Sequence, residues 1–363
     1  MGKIPSITPG KTAAMIDRSY IAWVISLVAI ITTGCDRNSA ELIFAVKEDQ
    51  VLAVREALSK NPELVEFRDD QGRTLAHLAA LEDSPKVMEY LLEIGIDFTE
   101  QDSNGFLPIH NAAARGSGKI VKLLLEKGPR IQDQDLEEKP LLGIVSTGHV
   151  SREILHVLVE FGASWKSEHE RVIHATFSGD MNRLVKKLHD ESEDIEAFGW
   201  SLLHWAVAGG NEEVVDYLLS RSFPTETVSG DLIERTPLHL AIGFNDLRIA
   251  KLLIENGANI EARTIAGNSP LHEASYAGYG ELVELLVEAG ANVNATNNPG
   301  WSPLHYAARK GDMKTSRYLV RAGADTGIVT GSAGYTAADF AKRASNEKLS
   351  DWLNAEAKDQ EPE

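Results

Sequence analysis

A four-residue phrase returns along this chain at an almost constant interval. Thr236-Pro237-Leu238-His239 reappears as Ser269-Pro270-Leu271-His272 and as Ser302-Pro303-Leu304-His305. Looser copies stand at Thr74-Leu75-Ala76-His77, Leu107-Pro108-Ile109-His110 and Ser201-Leu202-Leu203-His204. His77 and His110 are 33 residues apart, as are His239, His272 and His305 in turn, and Gly143 stands one period after His110. A period of this length calls for small supersecondary units that cannot bury an apolar face alone and do so by stacking. Such a chain builds an extended surface rather than one deep pocket.

Each residue of the phrase has a mechanical reason to be there. Thr236 can accept hydrogen bonds from the orphan N–H groups at a helix start. Pro237 falls in the first turn, where a helix tolerates proline. Leu238 and Ala241 face inward, Leu252 and Leu253 form the apolar stripe of a second helix, and Gly257 ends that helix in a left-handed conformation. Asn104-Gly105 and Pro299-Gly300 mark turns between units. The phrase is followed by an Ala-Ala or Ala-Xaa pair, a glycine near the helix turn, a Val-Val-Xaa-Xaa-Leu-Leu run and a Gly-Ala-Asn/Asp-Val/Ile-Asn ending. This set resembles the ankyrin-repeat family from about residue 39 to about 357, most fully from Ser269 through Gly278, Leu282, Leu285, Leu286 and Gly290 to Asn294. The resemblance implies an all-α solenoid of about ten helix-turn-helix units joined by short hairpins. It also implies binding of a protein partner through the concave face.

The units are not uniform. The first, near 39–67, lacks the phrase, as suits an N-terminal cap. Ala175 to Leu188 (ATFSGDMNRLVKKL) resembles Ala45 to Leu58 (AVKEDQVLAVREAL), so two continuous arrays are expected, 39–169 and 170–357. Repeat four, Lys139 to Gly143, lacks both the Thr and the His. Asp339 replaces the histidine in the last unit, a C-terminal cap, and the charged tail 358–363 is expected to fray. Phe223 to Glu234 holds two extra residues, which lengthens one hairpin.

The N-terminus carries an address. Lys11 and Arg18 precede an apolar run, Tyr20 to Gly34, that ends at Cys35. The run is short of the roughly 20 residues of a membrane span and suits the h-region of a secretory signal. Ile31-Thr32-Thr33-Gly34-Cys35 resembles a bacterial lipobox, with Thr32 where leucine is common, so residues 1–35 read as a signal peptide and Cys35 as the lipidated residue. Asp36 resembles an inner-membrane retention signal, which places the domain on the periplasmic face of that membrane. Met15 is an alternative start. Met1-Gly2-Lys3-Ile4-Pro5-Ser6 fits a loose myristoylation pattern but leaves the apolar run unexplained. Cys35 is the one cysteine in the sequence, so an intrachain disulfide is excluded.

The net charge is −18, and residues 36–363 hold 33 basic and 53 acidic side chains. Nucleic-acid binding needs a basic footprint on which counterions are displaced from phosphates, so it is not expected. Direct adhesion of the folded domain to anionic lipid is disfavoured too, leaving the lipid on Cys35 as the membrane contact. Whole-chain charge favours a partner with a basic surface.

No cofactor, metal site or catalytic residue is expected. The repeated histidines share the solenoid period, and the resemblance gives them a backbone-bonding role in the scaffold. His169 and His174 lack zinc spacing, and Asp190, Glu191, Glu193, Asp194 and Glu196 lack the order of a calcium loop. Gly331-Ser332-Ala333-Gly334 lacks the lysine of a phosphate loop. The sequence therefore reads as a membrane-tethered, non-catalytic interaction scaffold. An immunity or inhibitor protein acting on a periplasmic toxin or hydrolase, and a cytosolic adaptor, are the alternatives. The candidate partner-binding residues are Phe106, Trp200, Trp205, Phe244, Tyr276, Trp301, Tyr306 and Arg309. They occupy the places before the Thr/Ser or on the first helix that the resemblance assigns to hairpin tips and the concave face; aromatic and arginine side chains dominate protein interfaces. Tyr276, Trp301, Tyr306 and Arg309 are expected to align on one strip.

Overall fold

The computed structural model describes residues 37–127, 152–161, 168–188, 196–197, 199–230, 233–331 and 334–360. The signal segment with Cys35, the Lys139–Gly143 motif of repeat four and the acidic residues Asp190 to Asp194 lie outside the described residues, as do Ser332 and Ala333. The chain divides into two compact units, residues 1–132 and 133–363.

Among the described residues the structure is helical apart from a two-residue antiparallel ladder, Glu196–Ala197 with Trp200–Ser201. The first unit contains the pair Arg37–Lys47 and Val51–Lys60, a 3-10 turn at Pro62–Glu66, then the pairs Leu75–Leu81 with Pro85–Glu93 and Pro108–Arg115 with Gly118–Lys127. The second contains the helix Arg152–Phe161 and the pair Glu168–Ser178 with Met181–Leu188. The pairs Leu202–Gly209 with Glu212–Ser220 and Pro237–Gly243 with Leu247–Glu255 follow. Pro270–Ala277 with Gly280–Glu288, Pro303–Lys310 with Met313–Arg321, and Ala337–Arg343 with Glu347–Gln360 complete it. First helices stack on first helices and second on second, which is the solenoid expected from the period.

These helices are too short to persist alone. An isolated helix below about 12–15 residues is marginal in water, so stacking must supply the stability. The inward phrase residues do this: Leu238, Leu271, Ala241, Ala274 and Ala307 are fully buried. The small alanines let successive helices approach. Thr74, Ser201 and Thr236 each accept a hydrogen bond from the N–H three residues on, at the cap position. Gly116, Gly210, Gly278 and Gly311 close the first helices in the left-handed conformation. The two cap-like pairs are built alike, with Ala45, Val54 and Leu58 buried in one and Ala175, Leu184 and Leu188 in the other.

Hairpin tips are laced by single backbone hydrogen bonds. Ser103 N–H donates to Gln71 O in the first unit; Gly230 donates to Gly199, Ile265 to Ile233, Asn298 to Ala266 and Gly331 to Pro299 in the second. Gly199 has φ +74°, and a Cβ there would sit 2.8 Å from the Gly230 Cα. Glycine is thus required for the lengthened 223–234 hairpin to lie against its neighbour.

Candidate functional site on the first-helix strip

The histidines are structural keystones. In each complete repeat the ring Nδ1 accepts the N–H of the cap residue: Thr74 to His77 at 3.2 Å, Thr236 to His239 at 3.3 Å, Ser269 to His272 at 3.1 Å. Nε2 then donates to a carbonyl of the following hairpin. His77 reaches Phe106 O (2.8 Å), His204 reaches Arg235 O (3.0 Å), His239 reaches Asn268 O (3.3 Å), His272 reaches Trp301 O (3.0 Å) and His305 reaches Tyr335 O (3.1 Å). An acceptor at Nδ1 and a donor at Nε2 define the neutral ring. Burial pushes His239 and His272 down to about 4, against the pull of the carbonyls they bond; His77 and His305 are lowered by the same cause. Asp339 keeps the cap by accepting from the Thr336 N–H and hydroxyl, both at 2.9 Å. Among the described residues no group of His, Cys, Asp and Glu is arranged to hold a metal ion, and no helix is long and apolar enough to cross a membrane.

The histidine ladder fixes the backbone on which the candidate aromatics stand. With the Trp301 carbonyl held by His272, its N–H donates to Asn297 Oδ1 at 2.8 Å. The Asn297 amide then donates to Tyr306 Oη (3.0 Å) and Asn268 Oδ1 (2.8 Å). Trp301 and Tyr306 meet at 5.0 Å between ring centroids, and Tyr306 and Tyr276 meet edge to face at 5.6 Å. The Arg309 guanidinium lies 5.3 Å from the Trp301 centroid and 5.5 Å from that of Tyr276. Tyr276 and Arg309 are exposed, Trp301 and Tyr306 half-buried. These four candidates therefore form one cluster.

The other candidates are placed differently. Trp200 and Trp205 are each 1% exposed and stack at 4.9 Å. Both are core, and the expectation that they present contact area to a partner is corrected. Phe177 lies 6.3 Å from Trp205, and the helix Arg152–Phe161 packs on Leu202–Gly209, so this stretch of the strip is already covered. Phe244 is half-buried beneath the Arg152 guanidinium at 4.7 Å. Phe106, in the first unit, is half-buried and sits edge-on to His110 at 6.0 Å.

A groove of about 930 Å³ runs along the exposed stretch, lined by Phe244, Ile265, Asn268, Tyr276, Tyr306 and Arg309 among others. Ile265 is 58% exposed and Tyr276 47%. Sequence reasoning did not single out Arg235, Asn268 and Lys310, which also line the groove, or Asn297 and Phe340, which brace it. Phe340 packs on Trp301 at 4.3 Å. It follows Asp339 as Tyr306 follows His305, so alignment of the repeats was the signal that located it.

Stacked helix pairs with capped histidine phrases and laced hairpins define a helical-repeat solenoid. The comparisons with known proteins agree: the family model for ankyrin repeats (three copies) matches residues 42–135, 172–264, 229–297 and 271–360. The chain belongs to the ankyrin-repeat family. It is similar to the mouse RelA-associated inhibitor, with 31% identity over 125 residues, 32% of this chain and 15% of that protein. It is 35% identical over 80 residues to the probable 26S proteasome regulatory subunit p28 of Saccharomyces cerevisiae, 22% of this chain and 35% of that one. The human transient receptor potential cation channel subfamily A member 1 is 26% identical over 224 residues, 61% of this chain and 18% of the channel. The matches thus span about a third or less of these curated relatives, as expected of a scaffold shared among otherwise different proteins. Ankyrin repeats make this chain a protein–protein interaction scaffold.

Proposed function

We propose that the chain acts without catalysis, by holding a partner polypeptide on the first-helix strip of its second unit. The observation that carries this reading is the cluster of Tyr276, Trp301, Tyr306 and Arg309, gathered from two repeats beside a groove. Trp, Tyr and Arg bring large, stiff contact area and directional charge, and such residues commonly lose about 2 kcal/mol or more of binding when truncated. The hydrogen bonds among Asn297, Asn268 and Tyr306 hold the cluster in place before a partner arrives, which lowers the ordering cost of association.

Membrane tethering through a lipid on Cys35 is part of the same proposal and rests on the apolar run Tyr20 to Gly34 and the Gly34-Cys35 junction. It places the scaffold at a bacterial membrane, with the periplasmic face of the inner membrane as the proposed site. Labelling with a fatty-acid analogue tests it: the parent should be marked and Cys35→Ala should not. Equal labelling of both proteins sinks the anchor.

The binding face is tested by affinity capture from membrane extracts with the full chain and with the Trp301→Ala, Tyr306→Ala double variant, each checked by circular dichroism. The double variant should keep its helical content and lose the partner. A folded double variant that still captures it would move the interface elsewhere, with the lengthened 223–234 hairpin the next candidate.

A further inference from the structure

Whole-chain charge points toward a basic partner, but the strip itself carries the opposite sign. In the last three repeats the first helices present Arg309, Lys310, Lys342 and Arg343 against Glu273 and Asp339. Asp339 is engaged by the Thr336 cap. The second helices of the same repeats hold Glu281, Glu284, Glu288, Glu347, Asp351 and Glu356 against Lys314, Arg317, Arg321, Lys348 and Lys358. The first helices are therefore net basic and the second helices net acidic. The groove wall repeats this bias, with Arg235, Arg309 and Lys310 facing one carboxylate, Glu273.

Arg309 is the centre of that bias. Its guanidinium rests on Tyr276 and Trp301, and among the described residues no carboxylate pairs with it. Arg152 shows what a completed site of this kind looks like in the same unit. It lies over Phe244 and donates to the carboxylate of Asp246 at 3.1 Å and to the Val207 and Ala208 carbonyls at 3.0 Å each. Arg309 has the aromatic platform without the carboxylate. A guanidinium held flat on rings keeps its N–H edge available for bidentate bonding to a carboxylate.

We infer that the occupant of this strip is an acidic, extended polypeptide segment that sets a side-chain carboxylate on the Arg309 guanidinium; this rests on the protein-binding reading above. An apolar residue of the same segment lies beside Ile265 and Tyr276, which line the groove next to Arg309. Charge complementarity selects this occupant, because a basic segment would meet the strip's like charges.

The test is selection of a random twelve-residue phage-displayed peptide library on the full chain and on variants. Peptides selected on the parent should be enriched in Asp and Glu and depleted in Lys and Arg. A selected acidic peptide should bind about tenfold more weakly to Arg309→Gln and to Arg309→Lys, because Lys keeps the charge and loses the fork. Selection on Arg309→Glu should lose the acidic excess. Peptides that need Trp301 and Tyr306 but show no acidic excess, or an excess unchanged in Arg309→Glu, overturn the carboxylate inference and leave the binding face standing. Enrichment no better than on the Trp301→Ala, Tyr306→Ala variant overturns both.

Discussion

Trp200 with Trp205 and Trp301 with Tyr306 hold the same two places in their repeats, and their rings meet at nearly the same distance, 4.9 and 5.0 Å. One pair is sealed and the other is half-open. The difference comes from their neighbours. Phe177 flanks the first pair, and the helix Arg152–Phe161 lies on the same first helix, with Ile154 and Leu155 fully buried. The second pair is backed by Phe340 and edged by Arg309, a side chain that leaves solvent on its outer side. A repeat position therefore fixes where a side chain points, while local stacking decides whether it becomes core or surface.

Acid attacks what both regions share. His239 and His272 have folded values near 4 against an ordinary 6.5, so the unfolded chain binds the more protons between these values. Their contribution is intact above pH 6.5 and is lost as pH falls from 6.5 to 4, on the order of 3 kcal/mol for each histidine. Urea titrations at pH 7.5 and 4.5 should show this loss; equal midpoints would contradict the neutral-ring ladder. Trp205→Ala comes next. Emptying a sealed aromatic site costs about 3–5 kcal/mol, whereas Trp301→Ala should cost clearly less. Comparable losses in thermal melts would erase the distinction between the pairs.

Removing one keystone is milder. His272→Ala strands the cap N–H of Ser269 and the Trp301 carbonyl, at about 1–3 kcal/mol, and should release no zinc or iron by elemental analysis. Arg152→Ala should cost about 1–2 kcal/mol and uncover Phe244, raising binding of a hydrophobic dye. The smallest effect belongs to Arg309→Gln, within about 0.5 kcal/mol in stability. A large destabilisation there would mean that the open cage is scaffold.

The scaffold was legible in the sequence because its parts are local and periodic. Thr236, Pro237, His239 and Gly257 each do a job that requires that residue type at that spacing, and repetition removed the ambiguity of any single copy. The alignment of Tyr276, Trp301, Tyr306 and Arg309 followed from the same register. The sealing of Trp200 and Trp205 did not. It depends on Phe177 and on a helix some 40 residues or more away in sequence, contacts that no repeat pattern encodes. The sign of the strip was hidden for a related reason. A net charge of −18 averages over both helices of every pair, whereas here basic side chains outnumber acidic ones on the first helices and acidic outnumber basic on the second.

Hydroxyl-radical footprinting of the full chain, alone and with a bound selected peptide or captured partner, compares the two pairs directly. The account predicts that Trp301 and Tyr276 are oxidised in the free protein and protected in the complex, while Trp200 and Trp205 stay unmodified in both. Oxidation of Trp301 that is unchanged by the bound partner, with protection appearing instead at Phe106 or along the 223–234 hairpin, would contradict it.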